Sequence, residues 1–295
     1  MQNIVEAKVF YKNLTNFKQD IAEIFTTLKP DLEEPLLIKP NLVYGRPPGK
    51  SVSTNAYMLE ALVSFLKDVG FKDITIAEGS ALLDTKQEFI KASYDILNKH
   101  NIKFVDLNKD SYKLVKIKKP LELEKIEIAK TFLEAKSIIN FPVAKCHHLA
   151  GMTAGIKNLM GTLKPLGDPL HGTKSNLHIE WDNNILPKRE AKDKFERRLA
   201  DLLSIKKIDL TIIDGSYSTA ISESSNSIIK TNFLLASKDI IAADIACAMI
   251  LGFNPKDLHY LQYAQQKYGK RKIKFLGDAP KHFNLEKSPV WLSVK

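Results

Sequence analysis

The stretch that decides the fold is IINFPVAKCHHLAGMTAGIKNLMG, residues 138–161. It begins with an apolar run that predicts a buried strand. It then passes through a basic turn with two adjacent histidines and continues past two glycines into a short helix. Few other segments of this length contain as many side chains capable of chemistry, so we expect a functional site at the end of this strand.

Apolar runs alternate with amphipathic segments along the rest of the chain. Strands are predicted at residues 35–42, 73–80, 104–107, 209–215 and 233–237, with an edge hairpin at 112–128 and an edge strand at 273–276. Helices are predicted at residues 16–28, 56–69, 85–99, 188–205, 239–251 and 255–268. This alternation is typical of an α/β fold, in which helices cover both faces of a mostly parallel sheet. We expect one α/β domain over residues 1–295, with an irregular, embellished loop region in the middle at residues 164–187.

The composition is that of a soluble globular protein, with 44% hydrophobic and 26% charged residues. The net charge of +10 reflects either a solvated lysine-rich surface or a basic cleft that attracts an anionic ligand. Basic residues are spread along the chain without a basic helix that also carries aromatics, so nucleic acid is not expected as a partner.

The cysteines and apolar runs limit the possible compartments and cofactors. Cys146 and Cys247 are too few for a disulfide framework or for a four-cysteine metal or iron–sulfur site. The longest apolar run, residues 240–251, is interrupted by Asp244 and is too short to span a bilayer. The start of the chain lacks the pattern of a signal peptide. We therefore expect a cytoplasmic protein without a membrane partner.

Polar side chains follow four of the predicted strands. In open parallel sheets, ligands bind where the carboxyl ends of the strands meet. We therefore expect these side chains to share one site. They are Lys39, Asn41, Glu78, Ser80, Lys145, His147, His148 and Asp214.

Gly151 and Gly155 bracket a turn that leads into the short helix. One interpretation is an anion site, in which backbone N–H groups at the start of the helix point at a phosphate or carboxylate. Lys157 would then contact the anion or act as a nucleophilic amine, with Thr153 and Asn158 as further ligand contacts. The other interpretation is a glycine-rich packing turn beside a solvated lysine. The turn matches neither a Walker motif nor a dinucleotide fingerprint.

Four histidines lie in the window that also contains Asp168 and Glu180: His147, His148, His171 and His178. Two histidines and a carboxylate would suffice for an open metal site, but no recognised ligand spacing is present, so His171 and His178 are only candidate ligands. Adjacent residues of an extended segment point in opposite directions, so at most one of His147 and His148 is expected to face the site. That histidine would act as a general acid or base.

Two further residues have two interpretations each. Asp214 is either a base or hydrogen-bond partner of a ligand, or part of an Asp-Gly turn. Cys146 is either a thiol activated by the basic residues around it or a buried packing residue, and we favour packing.

The motifs occur in an order that resembles the domain of unknown function 362 family. They are Lys39-Pro40-Asn41, Glu78-Gly79, Lys145-x-His147, Gly155-Ile156-Lys157-Asn158-x-x-Gly161, Asp214-Gly215, Ala236-Ser237-x-Asp239, Asp244 and Leu251-Gly252. The resemblance covers roughly residues 35–270 and implies a prokaryotic protein. Members often carry ferredoxin-type cysteine motifs, which this chain lacks, so electron transfer by its own cluster is not implied. Residues 222–227 replace a segment that is usually glycine-rich in the family, so the resemblance implies no ligand contacts from that loop.

A shorter stretch is similar to the nickel-pincer lactate racemase family. It reads His147-x-x-Ala150-Gly151-x-x-x-Gly155-x-Lys157. This resemblance implies that His147 transfers a proton and that Lys157 anchors a cofactor. The rest of that family's metal and catalytic pattern has no counterpart in the chain, so the resemblance implies shared ancestry of the turn rather than shared chemistry.

Three functions are compatible with these patterns. The first is an enzyme that binds an anionic small molecule or phosphate-bearing cofactor at the carboxyl edge of the sheet and uses His/Lys acid–base chemistry. The second is a non-catalytic binding or carrier module in which the 164–187 loop is a lid or docking segment. The third is a metal-dependent enzyme that uses His147 or His148 with His171 or His178. The sequence names neither the substrate nor the cofactor.

Overall fold

The computed structural model describes residues 4–50, 53–81, 84–168 and 170–295. Its strands are β1 (Ile4–Asn13), β2 (Leu36–Pro40), β3 (Ile74–Glu78), β4 (Lys103–Asp106), β5 (Tyr112–Lys116), β6 (Lys125–Ala129), β7 (Ser137–Phe141), β8 (Lys145–His147), β9 (Gly151–Thr153), β10 (Leu210–Gly215), β11 (Ser218–Thr219), β12 (Ile228–Ile229), β13 (Phe233–Ser237) and β14 (Lys270–Gly277). Its α helices are α1 (Phe17–Leu28), α2 (Ala56–Asp68), α3 (Thr85–Lys91), α4 (Lys130–Glu134), α5 (Gly155–Asn158), α6 (Ile179–Asp182), α7 (Lys188–Asp201), α8 (Ile240–Ile250), α9 (His259–Tyr268) and α10 (Pro289–Val294).

Eight strands form the main sheet in the order β14-β1-β13-β10-β7-β2-β3-β4. Strand β13 pairs antiparallel with both β1 and β10, and the other neighbouring pairs of this sheet are parallel. The predicted mostly parallel sheet is therefore confirmed.

The central strands are buried on both faces. Along β2, Leu36 and Ile38 pack into a core with α1 and α2, whereas Leu37 packs into a second core with α7, α8 and α9. Because successive side chains of a strand point to opposite faces, a continuous apolar run such as Leu36–Ile38 requires cover on both. The prediction that helices cover both faces of the main sheet is therefore confirmed. None of the described helices is both long and apolar enough to cross a membrane.

Three elements of the structure differ from the sequence prediction. Strand β1 was not expected, and its parallel partner β14 lies at the other end of the chain. The helix predicted at 85–99 ends at Lys91; Ser93 has a φ of 63°, and a 3₁₀ helix follows over Tyr94–His100. The hairpin at 112–128 forms a separate two-stranded sheet, β5–β6, rather than an edge of the main sheet.

The parallel pairing places several strand ends side by side. Strand β2 lies between β7 and β3, with Lys39 opposite Asn140 and Ile38 opposite Ile76. The chain leaves β7 and forms the antiparallel hairpin β8–β9, in which Lys145 pairs with Thr153. This arrangement brings the predicted site residues of β2, β3 and the hairpin to one edge of the sheet.

Candidate functional site

A cavity of about 520 Å³ opens at the carboxyl ends of β2 and β3, against the β8–β9 hairpin. Its wall includes most of the side chains that the sequence predicted to share a site. These are Asn41, Glu78, Ser80, Lys145, His147, His148, Thr153, Lys157 and Asn158, together with His178.

Lys39 forms a buried ion pair with the wall residue Glu78. The Lys39 Nζ lies 2.8 and 2.9 Å from the two carboxylate oxygens of Glu78. Glu78 also accepts hydrogen bonds from the backbone N–H groups of Leu42 and Gly79. A Cβ at Gly161 would lie 2.0 Å from Glu78 Oε1, so only glycine lets the chain pass this close to the pair. The ammonium of Lys39 is thus engaged with Glu78 and does not line the cavity.

A chain of hydrogen bonds through three asparagines reaches one cavity lysine. Lys145 Nζ donates to Asn41 Oδ1 at 2.7 Å, and Asn41 Nδ2 donates to Asn158 Oδ1 at 2.9 Å. Asn158 Nδ2 donates in turn to Asn140 Oδ1 at 2.8 Å, and Asn140 Nδ2 to the Gly155 carbonyl oxygen. An amide fixed on both sides has little rotational freedom, so Asn41 and Asn158 hold Lys145 in place.

Three lysines face the cavity: Lys145, Lys157 and Lys174. Burial, followed by repulsion from Lys157, lowers the pKa of Lys145 to about 7, and burial lowers the pKa of Lys174 to about 8. Burial also lowers the pKa of Lys157, whose Nζ makes no hydrogen bond or ion pair with any residue that the structure describes. Burial therefore disfavours the charged form of all three lysines.

His147 is held in one neutral tautomer. Its Nδ1 accepts hydrogen bonds from the backbone N–H groups of Leu149 and Ala150, at 3.0 and 3.1 Å. An imidazole nitrogen that accepts such bonds carries no proton, so the proton of the neutral ring is on Nε2. Burial, and next the charge of Lys157, lower the pKa of His147 well below its ordinary value. His147 therefore presents a neutral N–H donor.

His148 lies beside His147, contrary to the expectation that only one of them faces the site. The two rings stack with centroids 4.6 Å apart, and both line the cavity. The prediction was wrong because β8 ends at His147 and His148 already belongs to a turn, where the alternation of an extended strand does not apply.

Glu223 orients His148 through two contacts. His148 Nδ1 lies 2.8 Å from Glu223 Oε1, and the His148 backbone N–H donates to Oε2 at 3.2 Å. Burial alone would raise the pKa of Glu223, but the hydrogen bond with His148 and the neighbouring histidines hold it well below its usual range. An ionised carboxylate only accepts, so His148 carries its proton on Nδ1 and leaves the Nε2 lone pair free.

A metal site at this cluster is disfavoured by the tautomer of His147. One ligand atom from each of His147, His148 and Glu223 fits within 4.8 Å, a donor set that suits several transition metals. However, the Nε2 of His147 carries the proton and its Nδ1 is bonded to the backbone, so the neutral ring has no lone pair to offer.

The other two metal candidates lie in different surroundings. His171 lines a second cavity of about 450 Å³, where its Nδ1 is 3.6 Å from Glu127 Oε2. His178 lines the main cavity, with its Nδ1 2.5 Å from Asp182 Oδ2. The structure therefore does not bring His171 together with His147 and His148.

The glycine turn is not a backbone anion site. The N–H groups of Gly155 and Ile156 donate to the two carboxylate oxygens of Asp244, at 2.6 and 3.0 Å. Gly151 has a φ of +79° and packs against Leu258 and Trp291, and neither glycine lines the cavity. This interpretation was wrong because an internal carboxylate already occupies the start of α5.

Asp214 does not line the cavity either. Its Oδ1 accepts from the backbone N–H and the hydroxyl of Ser216, and its Oδ2 accepts from the backbone N–H of Asn55. Asn55 is the residue that caps α2. The structure thus gives Asp214 the role of a turn and anchor residue, and Cys146 is buried, with its pKa raised by burial to about 11.

The sequence analysis missed Glu223 and Lys174, which both line the cavity. Glu223 is the one acidic residue of the serine-rich loop 216–227. Its isolated carboxylate is the feature of the sequence that could have indicated a site residue. Lys174 comes from the 164–187 loop, and its Nζ donates to the Gly79 carbonyl oxygen at 2.8 Å and to Asn108 Oδ1. Thr153 stays a predicted ligand contact; its hydroxyl is buried without a hydrogen-bond partner among the described residues.

Comparisons with known proteins identify relatives of this chain. It is 23% identical to the thylakoid-associated protein sll1697 of Synechocystis sp. over 240 residues, which is 79% of this chain and 68% of that protein. Among solved structures, the lactate racemase apoprotein from Thermoanaerobacterium thermosaccharolyticum matches 84% of this chain with a TM-score of 0.49 and 15% identity. A protein from Thermotoga maritima matches 90% with a TM-score of 0.47 and 12% identity. The chain spans 57% and 61% of the lengths of these two structures.

The sequence also matches a family model. The match covers residues 36–249 and therefore includes β2 to β13, the hairpin β8–β9 and most of α8. The chain belongs to the family described as domain of unknown function 362.

Proposed function

We propose that the cavity binds an anionic small molecule or a phosphate-bearing cofactor and that the protein acts on it as an acid–base enzyme. The observation that carries this proposal is Lys157, a largely buried cation on the cavity wall without a partner among the described residues. An unpaired buried charge is costly, and an anion bound beside it offsets that cost.

The carboxylates around the cavity do not supply this partner. Glu78 is bonded to Lys39, Glu223 to His148, and Asp182 to His178. Lys145 and Lys174 add two further cations to the same wall. A ligand that carries a carboxylate or phosphate would meet ammonium groups from the hairpin, from α5 and from the 164–187 loop.

The two histidines suit different roles. Glu223 leaves the Nε2 of His148 as a proton acceptor, in the way that a carboxylate orients a catalytic histidine in hydrolases. The neutral Nε2–H of His147 suits a hydrogen bond to a ligand oxygen, since a neutral imidazole polarises a carbonyl without giving up its proton. The proposal assigns acid–base work to His148 and oxygen binding to His147.

Lys157→Ala tests the anion site. We expect the Kd of inorganic phosphate and of oxalate, measured by titration calorimetry at constant ionic strength, to rise roughly 10- to 100-fold, because a charge-assisted hydrogen bond contributes about 1.5–3 kcal/mol. Lys207→Ala, at a lysine that is 81% exposed, removes the same charge away from the cavity and should leave the Kd unchanged. Equal affinities for wild type and Lys157→Ala would refute the site.

His148→Gln tests the acid–base role. Small molecules released from natively purified protein are identified by mass spectrometry and returned to the protein in D₂O. We expect the wild type to exchange a ligand hydrogen for deuterium at least about 100-fold faster than His148→Gln, in line with the usual contribution of a general acid or base. Binding should survive the substitution. Equal exchange rates would indicate that His148 moves no proton, and binding without exchange in either protein would favour a carrier module.

A further inference from the structure

The amine of Lys157 has the surroundings of a nucleophile as well as those of an anion ligand. It is largely buried in the cavity wall beside Lys145, and its Nζ has no partner among the described residues. Met160 and Leu149 line the same cavity and contribute apolar surface. Lysines that form covalent intermediates are those that are desolvated or lie near another cation.

We propose that Lys157 forms an imine with a carbonyl compound that also carries a carboxylate or phosphate. This inference rests on the proposed function, because the same cavity must first bind the anion. It goes further by naming the second functional group of the ligand, an aldehyde or ketone, and the atom that reacts with it.

Two groups of the cavity fit a carbonyl oxygen. The Nε2–H of His147 is a donor whose tautomer is fixed by the backbone N–H groups of Leu149 and Ala150. The Thr153 hydroxyl is buried without a hydrogen-bond partner among the described residues and lines the same wall. Lys145 and Lys174 remain to hold the anionic group of the ligand.

The protonation states agree with an attack by the amine. Burial lowers the pKa of Lys157, against the opposing charge of Glu223, so more of the amine is neutral than at an exposed lysine. Burial and the charge of Lys157 keep His147 neutral, so that it donates a hydrogen bond to the oxygen on which negative charge develops.

The step is balanced without an oxidant or reductant. The Nζ lone pair forms a bond to the carbonyl carbon, and the π electrons move to the oxygen. The Nε2 of His148 accepts a proton from the new ammonium and passes it to the oxygen, which gives a neutral carbinolamine. The remaining N–H proton then passes through His148 to the hydroxyl as the C–O bond breaks, so that water leaves and the neutral imine remains. One amine and one carbonyl give one imine and one water.

The test is reductive trapping with glyoxylate, which has both an aldehyde and a carboxylate. Wild-type protein is mixed with limiting glyoxylate and sodium borohydride, and the adducts are mapped on peptides by mass spectrometry. We expect Lys157 to be labelled at least about tenfold more than the exposed Lys207, because binding raises the effective concentration of the carbonyl beside the amine. Excess phosphate should suppress labelling at Lys157 alone, and acetaldehyde, which lacks the anionic group, should show no preference.

Phosphate binding by the wild-type protein, measured beside the trapping, separates this inference from the proposed function. Lys157→Arg cannot form an imine, so it shows the background labelling of the other lysines. Labelling of wild-type Lys157 no greater than that of Lys207, in protein that binds phosphate, would overturn the imine and leave the anion site standing. Loss of phosphate binding in the wild type would overturn both.

Discussion

Replacing Lys39 with Met is expected to lower the free energy of unfolding by roughly 3–5 kcal/mol, the usual cost of leaving one partner of a buried ion pair alone. Lys39 is fully buried and Glu78 is 2% exposed, so water cannot replace the lost ammonium. The backbone N–H groups of Leu42 and Gly79 still donate to Glu78 but do not neutralise it. Urea denaturation at neutral pH measures the effect.

A surface pair of the same geometry serves as the control. Lys12 and Glu23 are also 2.8 Å apart, but their side chains are 18% and 46% exposed. Lys12→Met is therefore expected to cost less than about 1 kcal/mol. The double variant Lys39→Met/Glu78→Gln removes the charge as well as its partner and should recover part of the stability. If Lys39→Met costs no more than Lys12→Met, the buried ion pair contributes no more to the stability of the fold than the exposed one.

Asp244 is expected to make stability depend on pH. Burial raises its pKa from 3.8 to about 7, against the hydrogen bonds from the Ile156 and Gly155 amides. Between these values the folded state binds one more proton than the unfolded state, so the stabilisation is complete below the unfolded pKa and is lost as the pH rises through the folded pKa. The free energy of unfolding should fall by about 1.4 kcal/mol per pH unit in this window, or roughly 3 kcal/mol from pH 5 to 8.

Asp244→Asn isolates this contribution because the amide does not titrate. The difference in unfolding free energy between wild type and variant, measured in urea at several pH values, should shrink by the same amount from pH 5 to 8. Cys247 and Tyr260 interact electrostatically with Asp244, but burial raises both pKa values well above their ordinary ones, so both stay neutral in this range. Parallel pH profiles for the two proteins would show that Asp244 does not titrate there.

The sequence predicted those parts of the fold that local patterns determine. Strands β2, β7 and β10 are mostly apolar, and α8 begins at Asp239, whose side chain accepts a hydrogen bond from the first turn. Strand β1 could not be predicted this way, because its place in the sheet depends on β14, more than 250 residues away, whose Lys270 pairs with Ile4.

The sequence predicted which residues line the candidate site better than it predicted the role of each residue. Parallel strand ends converge by geometry, so Asn41, Glu78 and Lys145 were expected to meet, and they line one cavity. Roles depend on distant partners. Asp244 caps Gly155 from 89 positions away, and Glu223 reaches His148 across 75 positions. No local spacing carries that information.

His147 and His148 show how hydrogen-bond partners give two neighbouring side chains different chemical roles. The two side chains are chemically identical, but they carry their protons on different nitrogens. Backbone N–H groups fix the proton of His147 on Nε2, whereas Glu223 fixes the proton of His148 on Nδ1. One ring therefore presents a donor to the cavity and the other a lone pair. Such a pair suits a ligand in which an oxygen accepts a hydrogen bond from one ring while a neighbouring atom exchanges a proton with the other ring.

The central claim is that the cavity holds an anion on its lysines, and anomalous scattering from crystals soaked in selenate tests it most directly. Selenate is a tetrahedral dianion like phosphate, and selenium locates it without ambiguity. We expect an anomalous peak in the cavity within hydrogen-bond distance of the Nζ atoms of Lys157 and of Lys145 or Lys174. Peaks confined to exposed lysines, with only water between these three side chains, would contradict the account.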